Sequence, residues 1–499
     1  MEYLTANASL DEYTQPLTRP QVMHLLRRAT FGMSIESIDK YVGKKAGQIV
    51  DELFANADKK LNPAPLPFIN ETFKNPSTLS GSQKNDENAR IKKHKDEYNW
   101  TLGEWWVKLM KVDNDSVLEK LVLFWHDHFA TQYASCDNMA FTFMYNQNDF
   151  LRKNYAGSFR TLLEGISLDG AMLFYLNGKE NIAESPNENY ARELMELFAL
   201  GVGNYTEQDV REAAKILTGW NVTMFSNEGE KPYKAYLVPD KFDRNTKQFM
   251  GETFTVNYEV NASNVNENSV KKLIKVILTK KGDVAAKYIS KKLYEYYFYS
   301  NSSKNSDEFI NKMAGTILDN NFAMRPVLTA MFKSQHFFEE KIIGSQIKSP
   351  AESIIGMVRH LNYSDLYARN IMSELGLELF NPPNVAGWKG YRGWINTVTL
   401  PSTINYLKII INTNTNQQLG QWAQTVKKYD DLDTFVTSLS ELFLVQTISA
   451  DRLKKFKNVL LAGAPDYEWY DISKNKDAAG QRLRNLLFEI IKSPDYFLF

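Results

Sequence analysis

Cysteine is nearly absent from this sequence of 499 residues, in which Cys136 is the single example. One thiol can form no internal disulfide, and it cannot supply a pair of thiolate ligands to zinc. Long apolar stretches are missing as well, because no run reaches the roughly eighteen residues that a membrane-spanning helix needs. The sequence therefore excludes a disulfide scaffold and predicts no membrane span.

An excess of charge of either sign is also missing, since Lys and Arg number 59 and Asp and Glu number 59. Without a net field, the chain is not expected to bind nucleic acid or an anionic membrane surface. Hydrophobic residues make up 43% of the chain and charged residues 24%. This composition is typical of an ordinary globular protein.

No export signal is visible at the N-terminus, because residues 1–21 contain neither a basic segment nor an apolar segment of the required kind. This predicts a cytoplasmic protein. The alternative is a periplasmic or cell-surface protein that has been processed or that leaves the cell bound to a partner.

Helix start signals dominate what the sequence does contain. Five segments have the spacing of a capping box, in which Ser or Thr precedes an acidic or amide side chain by three residues. They begin at Thr18, Ser116, Ser185, Thr206 and Ser349. The apolar residues behind them recur with helical periodicity, which predicts a mainly α protein with a multi-helical globular core.

Two stretches interrupt this helical pattern. Residues 61–90 are rich in Pro, Ser, Asn and Gly, so we expect a surface loop there. Residues 221–262 place β-branched and aromatic side chains around turn formers, which predicts a small β insertion. The expected organisation is an N-terminal extension, residues 1–17, followed by one domain, residues 18–499, that carries the loop and the insertion.

The helix expected after Ser185 carries a narrow polar stripe on an otherwise apolar surface. Arg192, Glu193 and Glu196 belong to this stripe, and Glu196 is therefore expected to lie inside the protein. A buried carboxylate has to be paired, bind a metal or take up a proton. The alternatives are an internal ion pair between Glu196 and Arg192 and a functional acid.

Two histidines, His126 and His128, stand near the end of the apolar helix after Ser116. Their side chains diverge on a helix and share a face on an extended chain. They are candidates for ligands of a divalent metal such as zinc, manganese or iron, or for a general base and its neighbour. The alternative is a structural pair of imidazoles. Because isolated buried polar groups are unfavourable, we expect both to meet Glu193 and Glu196, with Arg192 nearby.

A third candidate segment, residues 381–396, combines three glycines with large flat side chains. Its candidate ligand-binding residues are Trp388, Lys389, Tyr391, Arg392 and Trp394. The aromatic rings can stack on sugar rings or other flat ligands, and the two cations can meet an anion. Such rings are unfavourable to leave in water, so we expect the segment to border a concave site. The alternative is aromatic packing at a helix junction.

Five motifs follow one another along the chain. They read HLLRRATFG from residue 24, WHDHF from 125, NENYARELMEL from 187, LTGW from 217 and NPPNVAGWKGYRGWIN from 381. In this order the sequence resembles the bacterial domain-of-unknown-function 1800 family from about residue 18 onward. The resemblance implies a mostly helical protein, and it carries no established reaction.

The resemblance has three further implications. Members are often encoded beside a protein of the domain-of-unknown-function 1501 family, which looks like the sulfatase and alkaline phosphatase fold. Many relatives are exported, whereas this sequence lacks a visible signal. The family pattern leads us to expect a His-Asp pair where this chain has Phe242 and Asp243. The missing histidine weakens the case for a metal site.

Two hypotheses of different classes follow. In the first, the protein is a hydrolase for a glycan or an anionic ester, with a His/Glu site bordered by the segment at 381–396. In the second, it is a non-catalytic binding partner or escort of the phosphatase/sulfatase-like protein. A fold by itself cannot choose between them.

Overall fold

The computed structural model describes residues 9–32, 34–135, 140–226, 233–255, 262–302, 306–361, 363–426 and 428–499. Several sequence predictions lie outside the described residues. They concern Cys136, residues 1–8 of the expected extension, and residues 227–232 and 256–261 of the expected insertion.

Helices form most of the described chain, which confirms the predicted mainly α fold. In the first part the α-helices are α1 (Arg19–Ala29), α2 (Ile35–Tyr41), α3 (Ala46–Asp58), α4 (Gly81–Val112), α5 (Leu118–His128), α6 (Ala140–Lys153), α7 (Phe159–Ser167), α8 (Gly170–Tyr175), α9 (Asn189–Glu193) and α10 (Glu207–Ile216). A π-helical segment, Leu194–Ala199, continues α9.

In the second part the α-helices are α11 (Ala262–Lys280), α12 (Gly282–Tyr297), α13 (Asp307–Asp319), α14 (Met324–Lys333), α15 (Pro350–Leu361), α16 (Asp365–Glu374), α17 (Thr399–Asn412), α18 (Asn416–Ala423), α19 (Leu432–Phe443), α20 (Ala450–Leu461), α21 (Trp469–Lys474) and α22 (Lys476–Ile490). Among the described residues, none of these helices combines the length and apolar character that crossing a membrane requires.

Four short strands supply the predicted small β insertion. They are β1 (Trp220–Val222), β2 (Ala235–Leu237), β3 (Lys247–Phe249) and β4 (Glu252–Phe254). β1 pairs antiparallel with β2, and β3 pairs antiparallel with β4, so two separate hairpins form. Three-residue strands are too short to stand alone. They are held by burial of apolar side chains such as Phe249 in the helical core.

Three of the predicted capping boxes form helix starts. The backbone N–H of Thr18 donates to Gln21 at 3.0 Å, and that of Thr206 donates to Asp209 at 2.9 Å. At the start of α15 the backbone N–H of Ser349 donates to Glu352 at 2.7 Å. Each contact satisfies an N–H group that the helix itself leaves unpaired.

The predicted capping box at Ser116 is wrong. Glu119 is not turned back to the Ser116 backbone, because its carboxylate binds the guanidinium of Arg152 at 2.9 Å. The helix start is capped instead by Asp113, whose carboxylate accepts the backbone N–H of Glu119 at 3.1 Å. A buried ion pair therefore takes the side chain that the sequence pattern assigned to the cap.

The predicted helix start at Ser185 is also wrong. The helix begins only at Asn189, whose backbone N–H donates to the side chain of Asn187 at 3.0 Å. Asn187 thus forms a local turn that competes with the helix.

The loop predicted at residues 61–90 is shorter in the structure. Residues 67–70 and 76–78 form 3-10 turns, and α4 begins at Gly81. The residues after Gly81 include good helix formers such as Lys, Glu, Ala and Arg. They form an exposed helical face, which polar composition alone does not distinguish from a loop.

α5 runs through the core and positions the candidate site. Every residue of α5 is buried except Asp127, which lies in its last turn. The neighbouring helices cover the rest of its circumference with large side chains, among them the fully buried Trp106. The buried helix α5 therefore has one partly exposed residue, the acidic Asp127, in its last turn.

Candidate functional site

A cavity of about 210 Å³ opens where α5 ends. It is enclosed by the end of α5, the last turns of α12, the start of α15 and the segment 381–396, which we call the aromatic loop. The charged side chains in its lining are Asp127, Lys292, Glu295, Glu352 and Lys389. Four separate parts of the sequence therefore meet around one space.

A backbone hydrogen bond attaches the aromatic loop to α5. The backbone N–H of Trp388 donates to Oδ1 of Asp127 at 2.7 Å. Gly387, the preceding residue, has a φ of +80°, and a Cβ atom there would lie 2.2 Å from Oδ1 of Asp127. Only glycine allows this approach and this backbone conformation. Gly387 therefore permits the contact that holds the loop over the cavity.

Asp127 is the most perturbed acid of the cavity. Burial raises the pKa of its carboxyl to about 6, although the hydrogen bond from Trp388 and the charge of Lys292 oppose the shift. A carboxyl with this pKa is present in both protonation states near neutral pH. It can therefore donate a proton to a bound ligand.

Two hydrogen-bond donors in the cavity lining have no partner among the described residues. They are the hydroxyl of Tyr296 and the indole N–H of Trp388, and both atoms are buried. Burial raises the pKa of Tyr296, so its hydroxyl keeps its proton. Buried donors without partners are unfavourable unless a ligand or water supplies an acceptor.

The other charged groups of the cavity differ in how they are paired. Glu352 forms an ion pair with Lys120 at 3.1 Å, and its pKa is lowered by Lys120 and by hydrogen bonds from Ser349, against the opposing effect of burial. Glu295 accepts the hydroxyl of Ser302 at 2.6 Å and keeps 30% of its side chain exposed. Glu352 is thus held in place, whereas Glu295 is partly open to solvent.

The two predicted catalytic histidines diverge, as helical geometry requires. His126 is buried among the rings of Trp106, Phe380 and Trp388 and does not line the cavity. His128 lines the cavity, and its Nε2 lies 3.0 Å from the carbonyl oxygen of Phe198. Burial lowers the pKa of both imidazoles to about 3. Both rings are therefore neutral near pH 7 and are weak bases.

The acidic stripe lies beside the cavity and outside its lining. Glu196 is only partly buried, contrary to the prediction, and accepts a hydrogen bond from Tyr205. Arg192 pairs with Glu188 and Glu207 instead of Glu196. Burial raises the pKa of Glu193, with a further contribution from the nearby Glu196 carboxylate. No contact between these acids and His126 or His128 is found in the described part of the chain.

The aromatic loop borders the cavity, as predicted. Of its five candidate ligand-binding residues, the ones that line the cavity are Trp388, Lys389, Tyr391 and Trp394. Arg392 is exposed, and its guanidinium carbon lies over the ring of Tyr391, 5.6 Å from the ring centroid. The loop therefore presents three aromatic side chains and one lysine to the cavity.

The predicted residues do not form a metal site in the described ranges. No group of three or more His, Cys, Asp or Glu side chains is placed there to hold a metal ion. The unpartnered Nε2 of His126 faces aromatic rings instead of carboxylates. Stable binding of a divalent ion needs several convergent oxygen or nitrogen donors.

Sequence reasoning missed Asp127, Lys292, Glu295 and Tyr296 as lining residues. Asp127 stands between the two histidines, and that position was the one signal that could have identified it. The other three lie on α12 in a stretch whose pattern is that of an ordinary amphipathic helix. Their role depends on which helix α12 faces, and local sequence does not encode this.

Comparison with known proteins identifies one family. A family described as "Protein of unknown function (DUF1800)" matches residues 24–498. No curated protein matches the chain, and no solved structure matches it.

Proposed function

The chain belongs to the DUF1800 family, and we propose that it is a hydrolase that cleaves a glycosidic bond in the cavity at the end of α5. The observation that carries this proposal is Asp127, a carboxyl with a raised pKa in the lining of an aromatic-walled cavity. Carboxyl pairs in which one member stays protonated are the usual catalysts of glycoside hydrolysis.

The cavity lining favours a ligand that has both apolar ring faces and hydroxyl groups. Trp388, Tyr391 and Trp394 offer flat surfaces on which sugar rings stack. The unpartnered donors of Tyr296 and Trp388 can bind hydroxyl oxygens. A purely apolar ligand would leave these donors unpaired, so a sugar fits the lining better.

In the proposed reaction Asp127 is the general acid. It donates its proton to the leaving oxygen while the bond between that oxygen and the anomeric carbon breaks. Glu295, in the same lining and partly open to solvent, either takes a proton from the attacking water or bonds to the anomeric carbon. In the second case water, deprotonated by Asp127, then hydrolyses the glycosyl ester on Glu295. The products are a free sugar and an alcohol, and no further reactant is needed.

His128 and Lys292 have supporting roles in this proposal. The ammonium of Lys292 limits the rise in the Asp127 pKa, so the carboxyl still ionises near neutral pH. His128 is neutral and can serve as a hydrogen-bonding wall. The catalytic roles predicted from the sequence for His126, His128, Glu193, Glu196 and Arg192 stay predictions. The described part of the chain shows no contact between these histidines and these glutamates.

The test is hydrolysis of a panel of nitrophenyl hexosides and hexuronides by the wild type and by Asp127→Asn. We expect Asp127→Asn to reduce kcat/KM by about 100- to 10,000-fold for leaving groups that need protonation. The loss should be much smaller for dinitrophenyl glycosides, because that leaving group departs without a proton. This dependence on the leaving group distinguishes a general acid from a structural residue.

Asp169→Asn is the matched control for this experiment. Burial raises the pKa of Asp169 to about 7, and this residue caps α8 outside the cavity. We expect it to lower stability without changing the leaving-group dependence. The proposal is wrong if the wild type hydrolyses no member of the panel, or if both variants lose activity equally.

A second candidate function is that of a non-catalytic partner of a phosphatase/sulfatase-like protein. A separate surface favours it, because Tyr467 and Tyr470 are 79% and 55% exposed near the start of α21. Exposed aromatic residues are enriched at protein interfaces. In this case export with the partner would place the protein in the periplasm or at the cell surface instead of the cytoplasm. Co-purification that is lost in Tyr467→Ser would support this role.

A further inference from the structure

A second, smaller cavity of about 30 Å³ adjoins the main one. The two share Glu352 and Phe499 in their linings. The charged residues around the smaller cavity are Arg27, Lys348 and Glu352. The shared residues place the smaller cavity next to the main one, and in the lining of the smaller cavity the cationic side chains outnumber the side-chain carboxylate.

Lys348 is the least satisfied of these charged groups. Its ammonium makes no hydrogen bond and no ion pair within the described residues, and it lies 4.3 Å from the centroid of the Tyr496 ring. The guanidinium of Arg27, in contrast, donates to the carbonyl oxygens of Glu441 and Leu444. A cation without an anionic partner in such a place is unfavourable unless a ligand supplies one.

The side-chain carboxylate in the described lining of the smaller cavity is already engaged. Glu352 binds Lys120 and accepts hydrogen bonds from Ser349, so its charge is shared among several groups. A further buried cation, Arg28, lies 4.7 Å from the centroid of the Phe499 ring, with its Nε and Nη1 atoms unpartnered. The surroundings of the smaller cavity thus carry more positive than negative charge.

We propose that the smaller cavity receives the carboxylate of an acidic sugar of the hexuronic acid class, whose ring lies in the main cavity. Lys348 and Arg27 bind the carboxylate, and the aromatic loop stacks on the ring. The proposal rests on the proposed function for the presence of a sugar in the main cavity.

The size of the smaller cavity supports a carboxylate. One water molecule needs about 10–15 Å³ of such space, so the cavity accommodates about two oxygen-sized groups. A carboxylate has two oxygen atoms, whereas a phosphate or sulfate presents three or more. The volume therefore fits a carboxylate more closely than these larger anions.

The charge state of Lys348 makes binding of a carboxylate detectable as proton uptake. Burial and the charges of Arg27 and Lys120 lower the pKa of Lys348 to about 7, and Glu352 opposes this effect. The other groups around the amine, the rings of Tyr496 and His360, carry no charge near pH 7, because burial raises the first pKa and lowers the second. A bound carboxylate stabilises the ammonium form, so binding above pH 7 should be accompanied by proton uptake.

The test is calorimetric binding of D-glucuronate, D-galacturonate and D-glucose to the full chain at pH 7.5, in buffers of different ionisation enthalpy. We expect at least one hexuronate to bind about tenfold or more tightly than glucose, since charged hydrogen bonds contribute this much. Binding should take up a fraction of one proton. Lys348→Met should abolish both the preference and the proton uptake, while glucose affinity stays the same.

Lys348→Met is expected to fold, because it removes a desolvated charge and keeps the volume of the side chain. The melting temperature of Lys348→Met is measured to check that the variant folds. Lys389→Met is the comparison variant, because it removes the lysine of the main cavity. It should reduce the preference less than Lys348→Met, because Lys389 does not line the smaller cavity. Loss of the preference in Lys389→Met but not in Lys348→Met would overturn the proposal.

The remaining outcomes separate this proposal from the proposed hydrolase. Equal binding of hexuronates and glucose overturns the proposal, even if Asp127→Asn still abolishes hydrolysis. A Lys348-dependent preference without hydrolysis supports the carboxylate site and contradicts the hydrolase. Acetate that binds as tightly as the hexuronates would show a site for free carboxylates and would overturn the proposal for a sugar.

Discussion

The two ends of α5 both carry a carboxylate, and they solve the problem of its burial in different ways. Near the start, the Glu119 carboxylate accepts hydrogen bonds from Nε and Nη2 of Arg152, each at 2.9 Å. It also accepts the indole N–H of Trp106 at 2.8 Å. At the other end, Asp127 accepts the backbone N–H of Trp388 and faces a cavity.

This comparison shows that burial alone does not mark a functional acid. Glu119 is fully compensated by a bidentate ion pair, so its charge holds helices together. Asp127 is desolvated, and among the described residues no cation lies at hydrogen-bond distance from its carboxylate. Its pKa therefore rises to about 6. Incomplete compensation beside an open space is the feature that distinguishes the candidate site.

The largest expected effect is on the stability of the protein, and it follows from a substitution of Glu119 at the start of α5. Glu119→Leu leaves the fully buried guanidinium of Arg152 without its carboxylate. We expect a loss of about 3–5 kcal/mol in the free energy of unfolding, measured by urea denaturation. The double variant Glu119→Leu/Arg152→Met should recover most of it. A loss below about 1 kcal/mol in the single variant would contradict the comparison.

A smaller effect is expected where the loop meets Asp127. Gly387→Ala would place a methyl group against Oδ1 of Asp127 and strain a φ of +80°. We expect a loss of about 2–3 kcal/mol in stability, together with loss of ligand binding. The matched control is Gly203→Ala, outside the cavity lining, at a φ of +81° with no atom within 4 Å of the added Cβ. It should lose about 1 kcal/mol, from the backbone alone.

The smallest effect concerns the pH dependence of stability. The pKa of Asp127 is higher in the folded state, about 6, than the ordinary 3.8. The penalty of burying the charged form is therefore present above pH 6, declines as the pH falls and is absent below about pH 4. Relative to Asp127→Asn, the wild type should gain about 2 kcal/mol in unfolding free energy between pH 7 and pH 4. An unchanged difference would show that the carboxyl is not desolvated.

Much of the helical architecture could be predicted from sequence, because helix caps and apolar periodicity are local signals. The capping boxes at Thr18 and Thr206 formed as expected. The box at Ser116 failed because Glu119 has a stronger partner in Arg152, 33 residues away in sequence. A capping box predicted from local sequence does not form when its acidic side chain binds a cation from a distant part of the chain.

The candidate site was predictable only in part. The aromatic loop was expected to border a concave site, because large rings are unfavourable to leave in water, and it does. The interior position of Glu196 was not found, because Tyr205 and solvent meet its carboxylate at the edge of the helix. A stripe on a helical wheel shows which residues share a face, and it does not show what that face meets.

The sequence by itself determined a globular composition, the mainly α class, the small β insertion and the membership of a family, because these depend on composition, periodicity and motif order. Tertiary structure alone decided that Asp127, Lys292, Glu295 and the aromatic loop meet around one cavity. It also decided which charges are compensated and which are left to a ligand. Electrostatic compensation depends on distances between residues far apart in the chain, and those distances exist only once the helices have packed.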